Sequence, residues 1–533
     1  MMQAHAPVVT TTAVEEPPLT DANAVHPTVL TLEDERGQPM VAFKDDDRDN
    51  AGKRYSRFWP TRKWHWMLLM VGIVLVSVVL VSINLFLLQG DDNGDNDAVR
   101  SNGKAMEYYR ERFLTIRSIL GNLTKPYLLY FPSFPQYRAM QWLVFNDQTL
   151  PDVDNDAFLF RLTQRYTYLV LYFACGGSDW PELREFGIDM QQEFVNTNEC
   201  TFLGVSCNES GQIVEIVLNN AGLVGSLPDE VGLWTNVKVF DVGGNDLRGT
   251  IPEGLYGMSN LETLVLSIND LTGSISSGLS LLTSLKHFDV EGNDLRGTIP
   301  QGLSGLTNME FFDIQSNDNL GGQVFDMVSG FHHLRHLDVS ATDVSGTISE
   351  DIGELQKLTH LHCSNNKISG TVPESIGNLE ELRFLYLESE FFNSTIPMSI
   401  GKLSNLKELF VGKPGFHGSI PTTIGALANL EALKIWDTLL TGTLPTELGE
   451  LSSLVFLDLG VNPSIEGPIP TEMGRLTMLE HLAVRNTPLE SPIPDEICAL
   501  PRIYILYSLP MECQCCDYPA SDNQGSAPGS GNR

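Results

Sequence analysis

From residue 213 onward, apolar residues return with a period of 24. The first position of each copy falls at Ile213, Val237, Leu261, Leu285, Met309, Leu334, Leu358, Leu382, Leu406, Leu430, Leu454 and Leu479. Nine of the eleven steps are equal and two are longer by one, with the extra residue in SNDNLGG (316–322) and in VNPSIEG (461–467). Within a copy the pattern is L-x-x-L-x-L-x-x-N-x-L-x-G-x-I-P. The first six positions predict a short strand with its leucines inward, and parallel stacking of the copies buries them in one continuous core. Twelve coils at a strand spacing of about 4.8 Å give a sheet on the order of 55 Å long. Asn245, Asn269, Asn293, Asn317, Asn366 and Asn462 occupy the turn after the strand, where a side-chain amide can satisfy backbone groups that have left the sheet. Ala221, Thr342, Glu390, Pro414, Thr438 and Thr487 replace them in the other six copies, so an interrupted ladder is expected, notably in copies eight to ten.

The chain before the array has a different character. Trp66–Leu88 runs without a charge and is long enough to cross a bilayer. Lys53, Arg54, Arg57, Arg62 and Lys63 precede it, and Asp91, Asp92, Asp95 and Asp97 follow. The positive-inside rule therefore places the N-terminus in the cytosol, as an uncleaved signal anchor of a type II protein. A cleaved signal peptide is the competing reading, but its apolar region is shorter and nearer the N-terminus. Residues 1–63, with six prolines and a threonine run, are expected to be a disordered tail. Residues 89–104 read as a polar linker, and 105–212 as a helical cap region with helices over 106–120, 137–145 and 157–174. Arg161 and Arg165 interrupt the last of these, which is expected to pack against the first copies and not to span a membrane.

Of the formal net charge of −33, the segment 1–63 contributes −2 (10 acidic, 8 basic), so the acidity belongs to the rest of the chain. Such a charge excludes nucleic acid as a natural partner, because phosphates are repelled. The eight cysteines gather toward the two ends of the array, which points to closed caps in an oxidising compartment. Cys200 and Cys207 flank an extended stretch leading into the first strand. Cys498 is expected to pair with Cys513, Cys515 or Cys516 in a C-terminal cap over 495–516, followed by a Gly/Ser-rich disordered tail over 517–533. Cys363 reads as a buried free thiol, and Cys175 has no obvious partner. No metal site and no cofactor is expected, since the thiol-dense C-terminal stretch lacks zinc-finger spacing and a nearby histidine.

The L-x-G-x-I-P half of the copy resembles the plant-specific class of leucine-rich repeat found in plant and algal receptor-like proteins. The Cys200-TFLGVS-Cys207 stretch resembles that family's N-terminal cap, with Leu203 where a tryptophan is common. The resemblance covers about residues 200–516. It implies an α/β leucine-rich repeat solenoid over 213–494 whose concave sheet binds ligands. In the family a membrane segment usually follows the repeats, whereas here the apolar span precedes them. No Gly-rich nucleotide loop, HRD or DFG motif occurs in this chain, so no kinase activity is expected from it.

Strand positions three, five and seven point to the concave face. Position five carries Asp241, Asp289, Asp313, Asp338, His362, Tyr386, Phe410, Lys434 and Asp458; position three carries His287, Phe311, His336, His360, Phe384 and Phe456; position seven adds Glu291, Glu388 and Trp436. Two patches are expected. One sets Asp289, Asp313 and Asp338 beside His336, His360 and His362. The three carboxylates lie about 5 Å apart in a row, repelling one another unless a cation or basic ligand joins them, and protonation of the histidines would make the patch pH-sensitive. The other exposes Phe384, Tyr386, Phe410 and Trp436 as an apolar anchor for a partner. Catalysis is not expected, because no nucleophile with an oriented base appears. Sequons at Asn122, Asn208 and Asn393 lie on the predicted exterior side.

The expected function is recognition at the plasma membrane. A single-pass type II receptor-like protein or co-receptor would bind an extracellular protein, peptide or glycan and signal through a membrane partner. Adhesion to wall or matrix polymers, or inhibition of secreted enzymes, are the alternatives.

Overall fold

The computed structural model describes residues 30–33, 39–42, 96–147, 149–150, 156–177, 180, 197–490 and 492–506. They fall in two units, 1–95 and 96–533. In the first unit, β1 (Leu30–Glu33) pairs antiparallel with β2 (Pro39–Ala42), Leu30 opposite Ala42 and Glu33 opposite Pro39. This short hairpin lies where the composition predicts disorder. Leu30, Leu32, Met40 and Ala42 supply alternating apolar positions, which a count of prolines and charges overlooks. The expected span at 66–88 and the C-terminal Cys513, Cys515 and Cys516 lie outside the described residues. Among the described residues, no helix is long and apolar enough to cross a membrane.

The second unit begins with helix α1 (Asn96–Leu120), then α2 (Pro135–Phe145) and α3 (Asp156–Ala174). The first starts well before the predicted 106, inside the stretch read as linker, because a continuous run with one glycine and no proline propagates helix once its C-terminal half is packed. The third is buried at Phe158 and Leu162 and then on all sides from Gln164 to Tyr172. Its arginines are interior ions. Arg165 is fully buried, with Nε 2.6 Å from Asp147 Oδ2 and Nη1 3.0 Å from the Thr197 carbonyl. Arg161 donates to both oxygens of Glu199, at 3.2 and 2.9 Å.

These helices close the first coil. Gln164 Oε1 accepts from the Ile213 amide at 2.7 Å, the Val224 amide donates to the Cys175 carbonyl at 3.1 Å, and Tyr168 donates to the Leu203 carbonyl at 2.8 Å. Strand β3 (Val205–Cys207) then pairs antiparallel with the first repeat strand and removes its open edge. The Cys200–Cys207 disulfide holds this strand in place. Gly204 sits just before it with φ +70°, and a Cβ there would meet the Val217 carbonyl oxygen at 2.3 Å, so the glycine is required.

The main sheet is parallel from there on. Its strands are β4 (Ile213–Val217), β5 (Val239–Asp241), β6 (Thr263–Val265), β7 (His287–Asp289), β8 (Phe311–Asp313), β9 (His336–Asp338), β10 (His360–His362), β11 (Phe384–Glu388), β12 (Glu408–Gly412), β13 (Ala432–Trp436), β14 (Phe456–Asp458), β15 (His481–Ala483) and β16 (Tyr504–Leu506). The last belongs to a degenerate coil after the twelfth copy. The register is kept from coil to coil: His287 faces Phe311, which faces His336, which faces His360. Inward residues such as Leu261, Leu264 and Leu266 are fully buried, each contributing about 1.5–3 kcal/mol relative to exposure.

The opposite half of each coil follows a second rule. The L-x-G segment forms a second, seven-stranded parallel sheet through copies one to seven, and the residues after each Ile-Pro wind into a short 3-10 helix such as Glu253–Gly257. The insertion at 316–322 appears as a bulge between Asn317 and Gly321. After copy seven the second sheet breaks into isolated bridges and two-stranded pieces. That break coincides with the loss of the turn asparagines. Asn317 is fully buried; its Nδ2 donates to the carbonyls of Val290, Ile314 and Gln315, and its Oδ1 accepts from the Leu295 amide, tying adjacent coils together. In copy eight, with Glu390 at that position, Ser389 substitutes partly, donating to the Asn366 and Ile368 carbonyls.

Cys175 and Cys363 are buried free thiols. Burial pushes the Cys175 thiol up to about 12 and the Cys363 thiol well above its ordinary value. Cys498 is disulfide-bonded.

Candidate functional site

In an in-register parallel sheet, equivalent side chains stack in columns at the strand spacing, close to the separation at which aromatic rings stack. Column three uses this directly. His287 stacks on Phe311 (centroids 4.1 Å), Phe311 on His336 (4.2 Å) and His360 on Phe384 (4.5 Å), with His336 and His360 tilted at 5.1 Å between them. Column five continues the band along the next register: His362 stacks on Tyr386 at 4.2 Å and Tyr386 on Phe410 at 4.4 Å. The columns touch where His336 and His360 lie 5.8 and 6.0 Å from His362.

The two patches expected from the sequence are therefore one band running from β7 to β13. Its aromatic part is also not an exposed apolar cluster. Phe384, Tyr386, Phe410 and Trp436 are all half-buried, the first three because each stacks on a neighbouring ring and Trp436 beneath Lys434. What reaches solvent is edges and polar tips. Tyr386 donates its hydroxyl to Glu408 Oε2 at 2.5 Å. Glu388 Oε1 accepts from Trp436 Nε1 at 2.5 Å and from Lys434 Nζ at 3.2 Å. Lys434 sits 4.4 Å from the Trp436 ring centroid and Lys413 5.5 Å from it. This end is a cation–aromatic–carboxylate cluster, with each charge held by a neighbour. Glu408 and Lys413 were not legible as members. The only signal for Glu408 is its place in column three beside Phe384.

The acidic row has a structural duty that its spelling conceals. Asp241, Asp289, Asp313, Asp338 and Asp458 each use Oδ1 to accept the amide two residues later, at 2.8–3.1 Å, where the chain leaves the strand. The second oxygen turns to the neighbouring coil. Ser267 donates to Asp289 Oδ2 at 2.8 Å, His336 Nε2 lies 3.3 Å from Asp313 Oδ2, and His362 Nδ1 lies 2.8 Å from Asp338 Oδ2. Asp313 and Asp338 are not open surface carboxylates; each is only 3% exposed.

Burial then reverses the expected titration. Burial first, and the adjacent Asp338 charge second, push the Asp313 carboxyl up to about 8. Burial and the charge of Asp313 raise Glu291 to about 6. Burial lowers His336 and His360 to about 4, with neighbouring histidines adding to the effect, and lowers His287. These shifts work against protonation of His336 and His360 near neutral pH. One ligand atom from each of Asp313, His336 and Asp338 lies within 4.8 Å of the others. The sequence reading placed these three in one patch, with a cation or basic ligand as what would join its carboxylates, but assigned no metal. The sequons at Asn122, Asn208 and Asn393 all present exposed asparagines.

The fold defined by these coils is a leucine-rich repeat solenoid, similar to those of plant receptor-like proteins. Profiles described as "Leucine-rich repeat region" and "Leucine Rich Repeat" match residues 303–415 and 284–306. Among curated relatives, phytosulfokine receptor 1 of Arabidopsis thaliana is 28% identical over 102 residues, 17% of this chain and 10% of that protein. Receptor-like protein kinase 7 of the same organism is 38% identical over 68 residues, 13% and 7% of the two lengths. The chain thus spans only a small part of these relatives, and the similarity concerns repeats. Among solved structures, the ectodomain of the Arabidopsis receptor kinase GASSHO1/SCHENGEN3, in complex with Casparian strip integrity factor 2, superimposes with a TM-score of 0.55 at 25% identity, covering 60% of this chain and 41% of that one. The PEPR1–AtPEP1 structure gives 0.53 at 26%, covering 64% and 51%.

Proposed function

We propose that the band from His287 to Trp436 is the recognition surface of a receptor-like or co-receptor protein, and that its ligand is an extracellular peptide or a peptide segment of a larger protein. The observation that carries this reading is the continuity of the band of ring contacts across six adjacent coils, β7 to β12. A row of ring edges, flanked by Glu291 on one side and by Glu388, Glu408, Lys413 and Lys434 on the other, offers an extended chain both apolar contact and fixed charges. The likeness to the GASSHO1/SCHENGEN3 ectodomain in complex with Casparian strip integrity factor 2, and to the PEPR1–AtPEP1 structure, supports it. In the same reading the chain is a single-pass type II plasma-membrane protein. Residues 66–88 are the anchor, the repeats lie outside the cell with glycans at Asn122, Asn208 and Asn393, and signalling passes through a membrane partner.

Peptides selected on the full chain from a displayed random library test the surface. Ligands of the band will lose on the order of thirtyfold in affinity on Phe384→Ala or Tyr386→Ala, the loss expected of a central anchor. Selected peptides that bind both variants as well as the parent would place recognition elsewhere. Protease treatment of intact cells carrying tags at both ends tests the topology: cleavage of the N-terminal tag with protection of the C-terminal one rejects it.

A further inference from the structure

Asp313 and Asp338 occupy equivalent positions on β8 and β9, so the strand register sets their carboxylates side by side. Both are nearly sequestered from water: 5% of each side chain is accessible. Among the described residues neither meets a lysine or arginine; the only basic side chains at hydrogen-bond distance are His336, on Asp313, and His362, on Asp338. Two adjacent buried carboxyl groups without a cation cannot both ionise at low cost, and a bound cation would relieve this. A fold that only needed the turn-capping Oδ1 would be served equally well by asparagine at one of the two positions, since its carbonyl oxygen accepts the same amide.

We propose that Asp313, His336 and Asp338 form a binding site for a divalent first-row transition-metal ion, with Zn2+ the natural probe. Their donor atoms already lie within 4.8 Å of one another. A four-coordinate zinc with bonds of about 2.0–2.2 Å spaces its ligand atoms roughly 3.3–3.5 Å apart, and His336 Nε2 is 3.3 Å from Asp313 Oδ2. The remaining contraction is small enough for side-chain rotation. One imidazole and two carboxylates are a donor set for zinc, manganese or cobalt, whereas calcium and magnesium sites are built from oxygen alone. His362 has the part of an outer partner: its Nδ1 lies 2.8 Å from Asp338 Oδ2 and orients that carboxylate, as the hydrogen-bonded groups behind metal ligands do. Its Nε2 is buried and has no hydrogen-bond partner among the described residues. A guanidinium or ammonium group from a ligand fits less well, because the carboxylates are too enclosed to admit one.

This inference goes beyond the recognition reading and does not depend on it, so the probe is the metal alone. The untagged full chain, freed of metal by chelation, is titrated with Co2+ while its visible absorption is followed, then back-titrated with Zn2+. One Co2+ per chain is expected, displaced by Zn2+, with the unfolding midpoint raised by saturating Zn2+. His336→Gln and Asp338→Asn are each expected to weaken binding by about a hundredfold or more. Asp289→Asn, at the same position one coil away, removes a nearby charge but no ligand and is expected to weaken binding far less. No saturable binding up to about 1 mM Zn2+, or equal binding by parent and His336→Gln, overturns the site. Should a variant fail to fold, the parent decides: an unfolding midpoint that does not respond to Zn2+ overturns the proposal by itself.

Discussion

The imidazole of His362 and the phenol ring of Tyr386 lie face to face, centroids 4.2 Å apart and planes within 3° of parallel. They sit on adjacent coils, one repeat apart in the chain, and meet because β10 and β11 pair with His362 opposite Tyr386. Tyr386 is the middle ring of its column, stacked on Phe410 at its other face. Replacing it with leucine removes two ring pairs at about 0.5–1.5 kcal/mol each, beyond the area lost. Tyr386→Phe keeps both pairs and removes only the hydrogen bond to Glu408. In denaturant unfolding, the leucine variant should fall further than the phenylalanine variant. The reverse order would show that the hydroxyl, not the stack, holds the column.

Asn317 offers a test of the ladder. Its carboxamide makes one accepted and three donated hydrogen bonds to backbone groups, all in the interior. Asn317→Ala strands those groups away from water, and a loss of roughly 2–4 kcal/mol is expected for so many unsatisfied partners. Asn366 makes weaker bonds, at 3.5 Å to the Val339 carbonyl and 3.1 Å from the Ile368 amide. Asn366→Ala should therefore cost less. Equal losses measured by chemical denaturation would refute a ladder graded by its hydrogen bonds.

The helical cap should be acid-labile. Burial alone would raise the Glu199 carboxyl, but the hydrogen bonds from Arg161, the turn amide and the charges of Arg161 and Arg165 outweigh it and hold the group below the usual range. A carboxyl lowered on folding contributes stability that is complete above its unfolded value, about 4.3, and is lost as pH falls through the folded one. The unfolding midpoint should thus drop as pH falls below about 4, and Glu199→Gln should flatten that drop. Arg165→Met leaves Asp147 as an uncompensated buried charge and should destabilise by about 3–5 kcal/mol at neutral pH. An Arg165→Met protein as stable as the parent would mean that the cluster is not what seats the cap.

Ile268 sits in the left-handed region, φ +53°, with its β-branched side chain 62% exposed. Gly244 and Gly292 take the same conformation at the same point of the flanking coils, and Asn220 and Asn365 do so elsewhere. Exposure means that the isoleucine gains little from packing there, while its Cβ is strained by about 1–2 kcal/mol. Ile268→Asn should stabilise the array by on the order of 1 kcal/mol. A lowered thermal midpoint would show that the isoleucine contributes something its exposure does not reveal.

Much of this was legible in the chain itself. The apolar period determines which side chains must be buried, because no other arrangement of twelve equivalent segments hides that many leucines. The same period assigns Asp313, His336 and Tyr386 to an outward face, since successive strand residues alternate. The break in the second sheet could be anticipated from Glu390 and Pro414, which cannot replace a buried amide. The hairpin at 30–42 was missed because composition averages over the short alternation that forms it. What only the tertiary structure decided is how neighbours in a column change one another. A list of outward residues gives each aromatic a solvent-facing ring, whereas stacking at the strand spacing turns those faces onto each other. Nor does a list say how enclosed Asp313 and Asp338 are, and that enclosure depends on side chains from adjacent coils, a full repeat away along the chain. Position along a strand is a local property that the sequence carries. Burial, pairing and charge state depend on what the next coil places alongside, and they exist only once the coils are stacked.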